Sequence, residues 1–266
     1  MLEVNKLRFG YSSKAILNDI SFVVRPGEVV SLLGPNGTGK TTLLRCILGI
    51  TKMQDGNVSV DGQNLSDMPA KQRARFMAYV PQSSALTFPY DVIEAVLMGR
   101  VPHLGFGSSP TQEDYREARE AMLALKIEHL AEKRFHQLSG GEKQLVLIAR
   151  ALAQQACFLI MDEPTASLDF SRQNLTLQII RSLTRRGIAI LMTTHSPDQA
   201  FYISDKVVMI KNGLVLADGP PDDVITAGNL SALYNMPTTV SETREHFAGR
   251  PVKVCVPLVE EINSQP

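Results

Sequence analysis

Two segments of this chain carry residue types and spacings suited to holding phosphate: Gly34-Pro35-Asn36-Gly37-Thr38-Gly39-Lys40-Thr41 and Leu138-Ser139-Gly140-Gly141-Glu142. In the first, glycines remove Cβ atoms where successive backbone N–H groups must turn inward around an anion, and the helix that follows adds the positive end of its dipole. Lys40 is spaced to reach the β- and γ-phosphates of a nucleoside triphosphate, with the Thr41 hydroxyl on Mg²⁺. Gly34, Pro35, Asn36, Gly37, Thr38, Gly39, Lys40, Thr41 and Thr42 are therefore the candidate triphosphate cradle. At average residue frequencies the first pattern arises by chance in roughly one chain in a hundred of this length, and the second in well under one in a thousand. Coincidence does not explain the pair.

Acid and base chemistry has its own candidates. Asp162-Glu163 follows the apolar run Cys157-Phe158-Leu159-Ile160-Met161, which is unbroken, as expected for a parallel strand covered on both faces. Adjacent strand residues point to opposite sides, so these carboxylates are expected to divide two tasks. One would hold the Mg²⁺ shell, and the other would orient and deprotonate attacking water. His195 stands after Ile188-Ala189-Ile190-Leu191-Met192 and Thr193-Thr194, at a strand's carboxyl end, where ligands bind in open parallel sheets. His103, His129 and His136 lack metal-ligand spacing and are expected on the surface.

These residues need particular elements behind them. The first glycine-rich segment comes after Val29-Val30-Ser31-Leu32-Leu33 and runs into Thr42-Leu43-Leu44-Arg45-Cys46-Ile47-Leu48, which reads as strand, loop, helix. Short β-type runs at Ile20 to Val24, Asn57 to Val60 and Phe76 to Val80 surround it. Between Gln82 and Gln137 the period becomes helical. The clearest helix there is Asp114 to Leu125, with Tyr115, Ala118, Met122 and Leu125 on one stripe and Thr111 with Asp114 as a capping box. Beyond His195, Val207 to Ile210 and Leu214 to Ala217 flank Lys211-Asn212-Gly213, a hairpin signal. The tail contains Val252-Lys253-Val254-Cys255-Val256, which alternates like a half-buried strand.

Gly34 to Thr41, Gln82 after Tyr79-Val80-Pro81, Leu138 to Glu142, Asp162-Glu163, Ser167-Leu168-Asp169 and His195 stand in the order found in ATP-binding subunits of ABC transporters, which this chain resembles from about Tyr11 to His195. The segment at Leu138 is specific to that family. Val96-Leu97-Met98-Gly99-Arg100-Val101-Pro102-His103-Leu104-Gly105 is similar to the branch that energises uptake of iron chelates, haem and cobalamin. The resemblance implies an α/β fold: a P-loop NTPase core with a parallel sheet, an N-terminal antiparallel β-subdomain and an inserted α-helical subdomain. It implies ATP with Mg²⁺ as cofactors, Tyr11 stacked on adenine, and Thr41, Gln82 and Asp162 around the metal. Lys40, Glu163, Gln82 and His195 would be catalytic, with Glu163 as the base. Ser139, Gly140, Gly141 and Asp169 would meet ATP held on the P-loop of a second copy, so that a homodimer closes around two nucleotides. Ser196 and Leu145 depart from the family's usual acidic and basic residues, without touching the expected phosphate or proton transfers.

The implied division of the chain is 1–81 and 138–228 as two parts of a nucleotide-binding core, 82–137 as the helical lobe, and 229–266 as a C-terminal extension. The stretch from Pro89 to Leu104 is where contact with a membrane subunit is expected. The 266 residues carry 27 basic and 27 acidic side chains, which leaves no electrostatic footprint for nucleic acid or anionic lipid. No apolar run has the length of a bilayer span and no leader pattern opens the chain. The expectation is a peripheral protein on the cytoplasmic face of the inner membrane, working with integral-membrane permease subunits and indirectly with a substrate-binding protein. Cys46, Cys157 and Cys255 are expected as buried thiols of a reducing compartment, without disulfide or zinc. A soluble ABC-type ATPase of a cytoplasmic assembly complex, or a subunit of another class of ABC transporter, would share these catalytic residues. A GTPase switch or small-molecule kinase would lack Leu138 to Glu142, and a translation or repair ATPase would bring heptads or a basic arm.

Overall fold

Uninterrupted apolar runs become the inner strands of the central sheet. The computed structural model describes residues 1–12, 14–82, 90–105, 107–247 and 250–258. The N-terminal strands β1 (Leu2–Tyr11) and β2 (Lys14–Val24) pair antiparallel, followed by β3 (Val29–Leu33), helix α1 (Lys40–Ile47), β4 (Asp55–Val60) and the short β5 (Gln63–Asn64). Next come α2 (Ala70–Phe76), β6 (Met77–Val80), α3 (Val92–Leu97), α4 (Gln112–Ala124), α5 (Gly140–Ala153), β7 (Phe158–Met161), α6 (Phe170–Thr184) and β8 (Ala189–Thr194). The chain continues through α7 (Pro197–Ile203), β9 (Lys206–Lys211), β10 (Leu214–Gly219), α8 (Pro221–Val224), α9 (Ala227–Tyr234), β11 (Thr238–Phe247) and β12 (Arg250–Pro257).

One sheet has the order β10-β9-β3-β8-β7-β6, parallel except for β10; a second, antiparallel, has the order β2-β1-β4-β5. Strands β3, β7 and β8 are buried at every position, because helices cover one face of their sheet and the second sheet together with α1 the other. Leu32, Ile160 and Leu191 pack with Leu2, Ile20, Phe22 and α1. On the opposite face Ala78, Leu159 and Ile190 pack with α3, α4 and α5 through Val96, Met122 and Ile148. The expected hairpin is present, with Asn212 at φ 50° and Gly213 at φ 75° between β9 and β10. The carboxyl ends of β3, β8, β7 and β6, which carry expected site residues, are successive neighbours in the sheet.

Several local expectations are corrected. Phe76 ends α2 rather than opening β6. Helix α1 begins at Lys40, before the apolar run that signals it. Helix α4 keeps the Thr111–Asp114 capping box, but Tyr115 is exposed while Ala118 and Met122 are buried. Asp114 instead faces inward and receives a 3.1 Å bond from Arg100 Nε, both side chains being buried. Arg100 also donates to the Ala153 carbonyl and Gln155, each at 2.8 Å, which ties the 98–103 stretch to the end of α5. His103 is half-buried against the Gln154 carbonyl at 2.9 Å, whereas His129 and His136 are exposed. Of the thiols, Cys46 is buried and its pKa pushed up to about 11, Cys255 is half-buried, and Cys157 is exposed because it precedes β7.

Candidate functional site

The turn after β3 is shaped by contacts that leave no room for side chains. A Cβ on Gly34 would lie 2.5 Å from the Ile210 carbonyl oxygen of β9, and Gly39, at φ 96°, sits against Leu17 and Ile16 of β2. Gly39 is the N-cap of α1; no side chain caps that end and no acid occupies its first turn. Among the described residues the leading N–H groups of α1 therefore have no side-chain acceptor, and they carry the dipole's positive end. The N-terminus of α5 is built in the opposite way. Ser139 and Glu142 form a capping box there, with Glu142 Oε2 2.8 Å from Ser139 N and 2.6 Å from its Oγ. Those bonds from Ser139 hold the Glu142 carboxyl below the usual range.

Lys40 is buried, its ammonium 2.7 Å from the Gly34 carbonyl and 3.0 Å from that of Pro35. Burial lowers its pKa, and the carboxylates of Glu163 and Asp162 oppose that shift. Asp162 Oδ1 accepts the Thr41 hydroxyl at 3.1 Å and the Thr193 hydroxyl at 2.7 Å. Glu163 has φ 43°, a left-handed conformation unfavourable for a long side chain and found where a site over-determines it. That turn ends the strand alternation. It carries the Glu163 carboxylate to Lys40 Nζ (3.7 Å), Gln82 Nε2 (3.2 Å) and His195 Nδ1 (3.4 Å). Asp162 thus meets Thr41 while Glu163 meets Lys40, Gln82 and His195, and the two acids do divide their neighbours.

Thr193 carries no signal in the sequence beyond a hydroxyl inside a buried strand. Its side chain, fully buried in β8, donates to Asp162 and accepts the Glu163 N–H at 2.8 Å. One hydroxyl therefore fixes the Asp162 carboxylate and the Glu163 backbone. Thr193→Val keeps the shape and removes both bonds, leaving a buried N–H unpaired, so we expect a loss of about 1–3 kcal/mol in urea unfolding. Unchanged stability would show that another group takes over both bonds.

Ser139, Gly140, Gly141 and Asp169 form a second group. Arg172, which sequence reading missed, joins them: its Nη1 donates to Ser139 Oγ at 2.9 Å, and its Nε lies 3.4 Å from Asp169 Oδ2. Asp169 caps α6 by accepting the Arg172 N–H at 3.0 Å. The available signal was the three-residue spacing of an acid cap and a cation. Among the described residues no hydrogen bond or ion pair joins the side chains of Ser139, Asp169 or Arg172 to Lys40, Asp162 or Glu163. Tyr11, at the end of β1, is 57% exposed, its ring edge-on to Phe9 at 4.8 Å. Ser196 caps α7, and Leu145 packs on the helical core.

The donor set fits a nucleotide with a divalent cation. The cradle offers the uncapped N–H groups that open α1 and an ammonium, and beside it Thr41 and Asp162 present hard oxygen ligands of the kind Mg²⁺ takes alongside phosphate. Residues 17–166 match the family model described as ABC transporter. The chain belongs to that family. A hemin import ATP-binding protein of Gloeobacter violaceus is 38% identical over 247 residues, covering 90% of this chain and 89% of the relative. A solved structure assigned to a metal-chelate type ABC transporter, in an inward-facing conformation, aligns with TM-score 0.87 at 31% identity, over 97% of this chain and 98% of the other. An ATP-binding cassette solved as a dimer in a post-hydrolysis state, with ADP and phosphate, aligns with TM-score 0.73 at 26% identity, over 83% and 99%. Membership in the ABC transporter family brings nucleotide binding with it. Among the described residues no helix is long and apolar enough to cross a membrane.

Proposed function

We propose that this chain is the ATP-hydrolysing subunit of an importer that carries metal chelates such as iron-siderophore, haem or cobalamin. The observation that carries the reading is the meeting of Lys40, Gln82 and His195 on the single carboxylate of Glu163. Chelate import is supported by the hemin-import relative and the metal-chelate type structure, whose similarity extends over nearly the whole chain.

In this reading the cradle and Lys40 hold the triphosphate, and Tyr11 stacks on adenine. Glu163 orients water and accepts its proton, with Gln82 beside it to touch that water and His195 to hydrogen-bond the γ-phosphate. Thr41, Asp162 and Gln82 would hold Mg²⁺, which when bound neutralises charge on the β- and γ-phosphate oxygens. Ser139, Gly140, Gly141 and Asp169 would complete the site of a second copy, a pairing supported by the dimeric cassette. Residues 1–81 and 138–228 act as the core, 82–137 as the lobe and 229–266 as an extension.

Force would pass to two permease subunits at the cytoplasmic face of the inner membrane, and through them to a substrate-binding protein. The docking stretch proposed at 89–104 begins with Pro89, outside the described residues. Met98 and Gly99 from its described part line a cleft of about 530 Å³ with Tyr79, Arg150 and Gln154. Purification of the tagged chain from detergent-solubilised membranes should bring down a polytopic permease whose vesicles take up chelate only with ATP. Recovery with soluble assembly factors alone, and no membrane protein, would refute the import reading.

A further inference from the structure

The C-terminal segment grips the peptide that carries His195. Tyr234, in the last turn of α9, donates its hydroxyl to the His195 carbonyl at 2.8 Å. On the next residues, Ser196 N donates to Thr194 Oγ1 at 3.1 Å, and Asp198 of α7 accepts the Cys255 N–H of β12 at 2.8 Å. Lys253 lies 5.7 Å over the Phe201 ring of α7 while paired with Asp222 at 2.6 Å and Glu242 at 3.5 Å. Tyr234, Phe201 and Cys255 pack around a small separate core built on Ala200, Leu230 and Leu233. Burial raises the pKa of the Tyr234 hydroxyl, so it stays a donor at neutral pH.

The His195 side chain, by contrast, is half exposed. Among the described residues its one ion-pair contact is with Glu163, at 3.4 Å. An imidazole so loosely held takes its direction from its own backbone, and the carbonyl of that backbone is tethered by Tyr234.

We propose that Tyr234 is a positioning residue for ATP hydrolysis, holding the His195 peptide so that the imidazole faces Glu163 and the γ-phosphate. The proposal rests on the ATPase reading above, and the C-terminal segment gains a task in the cycle through it. Tyr234→Phe keeps the ring and removes only the hydroxyl. In the full-length chain we expect kcat to fall about three- to tenfold, the worth of one hydrogen bond. The KM for ATP and the melting temperature should stay close to wild type.

The deciding arm is the double variant. Because Tyr234 acts through His195, adding Tyr234→Phe to His195→Ala should lower turnover no further. Wild-type kcat in Tyr234→Phe, beside a His195→Ala variant that has lost turnover, would overturn this proposal alone. An equal further fall in the double variant would also overturn it, by showing a general structural effect. Wild-type turnover in His195→Ala would overturn both this proposal and the role of His195 on which it rests.

Discussion

Glu163→Gln is expected to bind ATP as the wild type does and to lose turnover by about 10² to 10⁴, the usual worth of a positioned general base. The amide is nearly isosteric and can still accept a hydrogen bond from Gln82 or His195, so the pocket's outline is kept. It cannot take a proton from water at neutral pH. The substitution also withdraws the negative charge 3.7 Å from Lys40 Nζ, but Asp162 remains as a second carboxylate opposing the burial of that ammonium. Nucleotide affinity should therefore survive. The check is a single-turnover assay beside equilibrium binding of ATP. ATP-stabilised dimers should accumulate in the variant, because the step that releases them is blocked. Hydrolysis within about tenfold of wild type would assign the base elsewhere and leave Glu163 as an orienting group.

Much of this arrangement was legible in the sequence, for a definite reason. Glycines at 34, 37 and 39, with Lys40 and Thr41, form a local motif whose geometry is dictated by the backbone. Strands β3, β7 and β8 announce themselves through apolar runs that only a doubly covered sheet tolerates. What was not legible depends on contacts between distant segments. Thr193 looks like any polar residue near a strand end, yet it bridges Asp162 and the Glu163 N–H because β7 and β8 are neighbours in the sheet. The left-handed turn at Glu163 is likewise invisible to an alternation rule that stops applying where β7 ends at Met161. Nothing in the sequence pairs Arg100 with Asp114, which reads only as half of a capping box until packing turns the two on each other. The tail read only as a strand-like run, because the link from Tyr234 to the His195 carbonyl joins segments far apart in the chain.

Ser139→Arg should separate the two halves of the proposed site. The side chain lies at the exposed N-terminus of α5, and its replacement removes a capping box, which costs about 1 kcal/mol and leaves the fold standing. Lys40, Thr41, Asp162 and Glu163 share no side-chain bond with Ser139, so ATP binding to a single chain should be unchanged. The surface that would face a partner's γ-phosphate changes far more. A guanidinium replaces a small hydroxyl beside Arg172, whose Nη1 is 2.9 Å from Ser139 Oγ. A second guanidinium beside Arg172 would then fill a position proposed to close tightly on phosphate, and its bulk opposes closure.

In a Glu163→Gln background, where dimers should persist, we expect Ser139→Arg to abolish the ATP-dependent shift from monomer to dimer in light scattering. In the otherwise native chain it should lower turnover by at least about a hundredfold, the scale set by removing an electrostatic donor from a transition state. Normal ATP-dependent dimers in the double variant would mean that Ser139 does not face a second nucleotide. Loss of ATP binding to the single chain would mean that the two groups of residues form one pocket within one polypeptide.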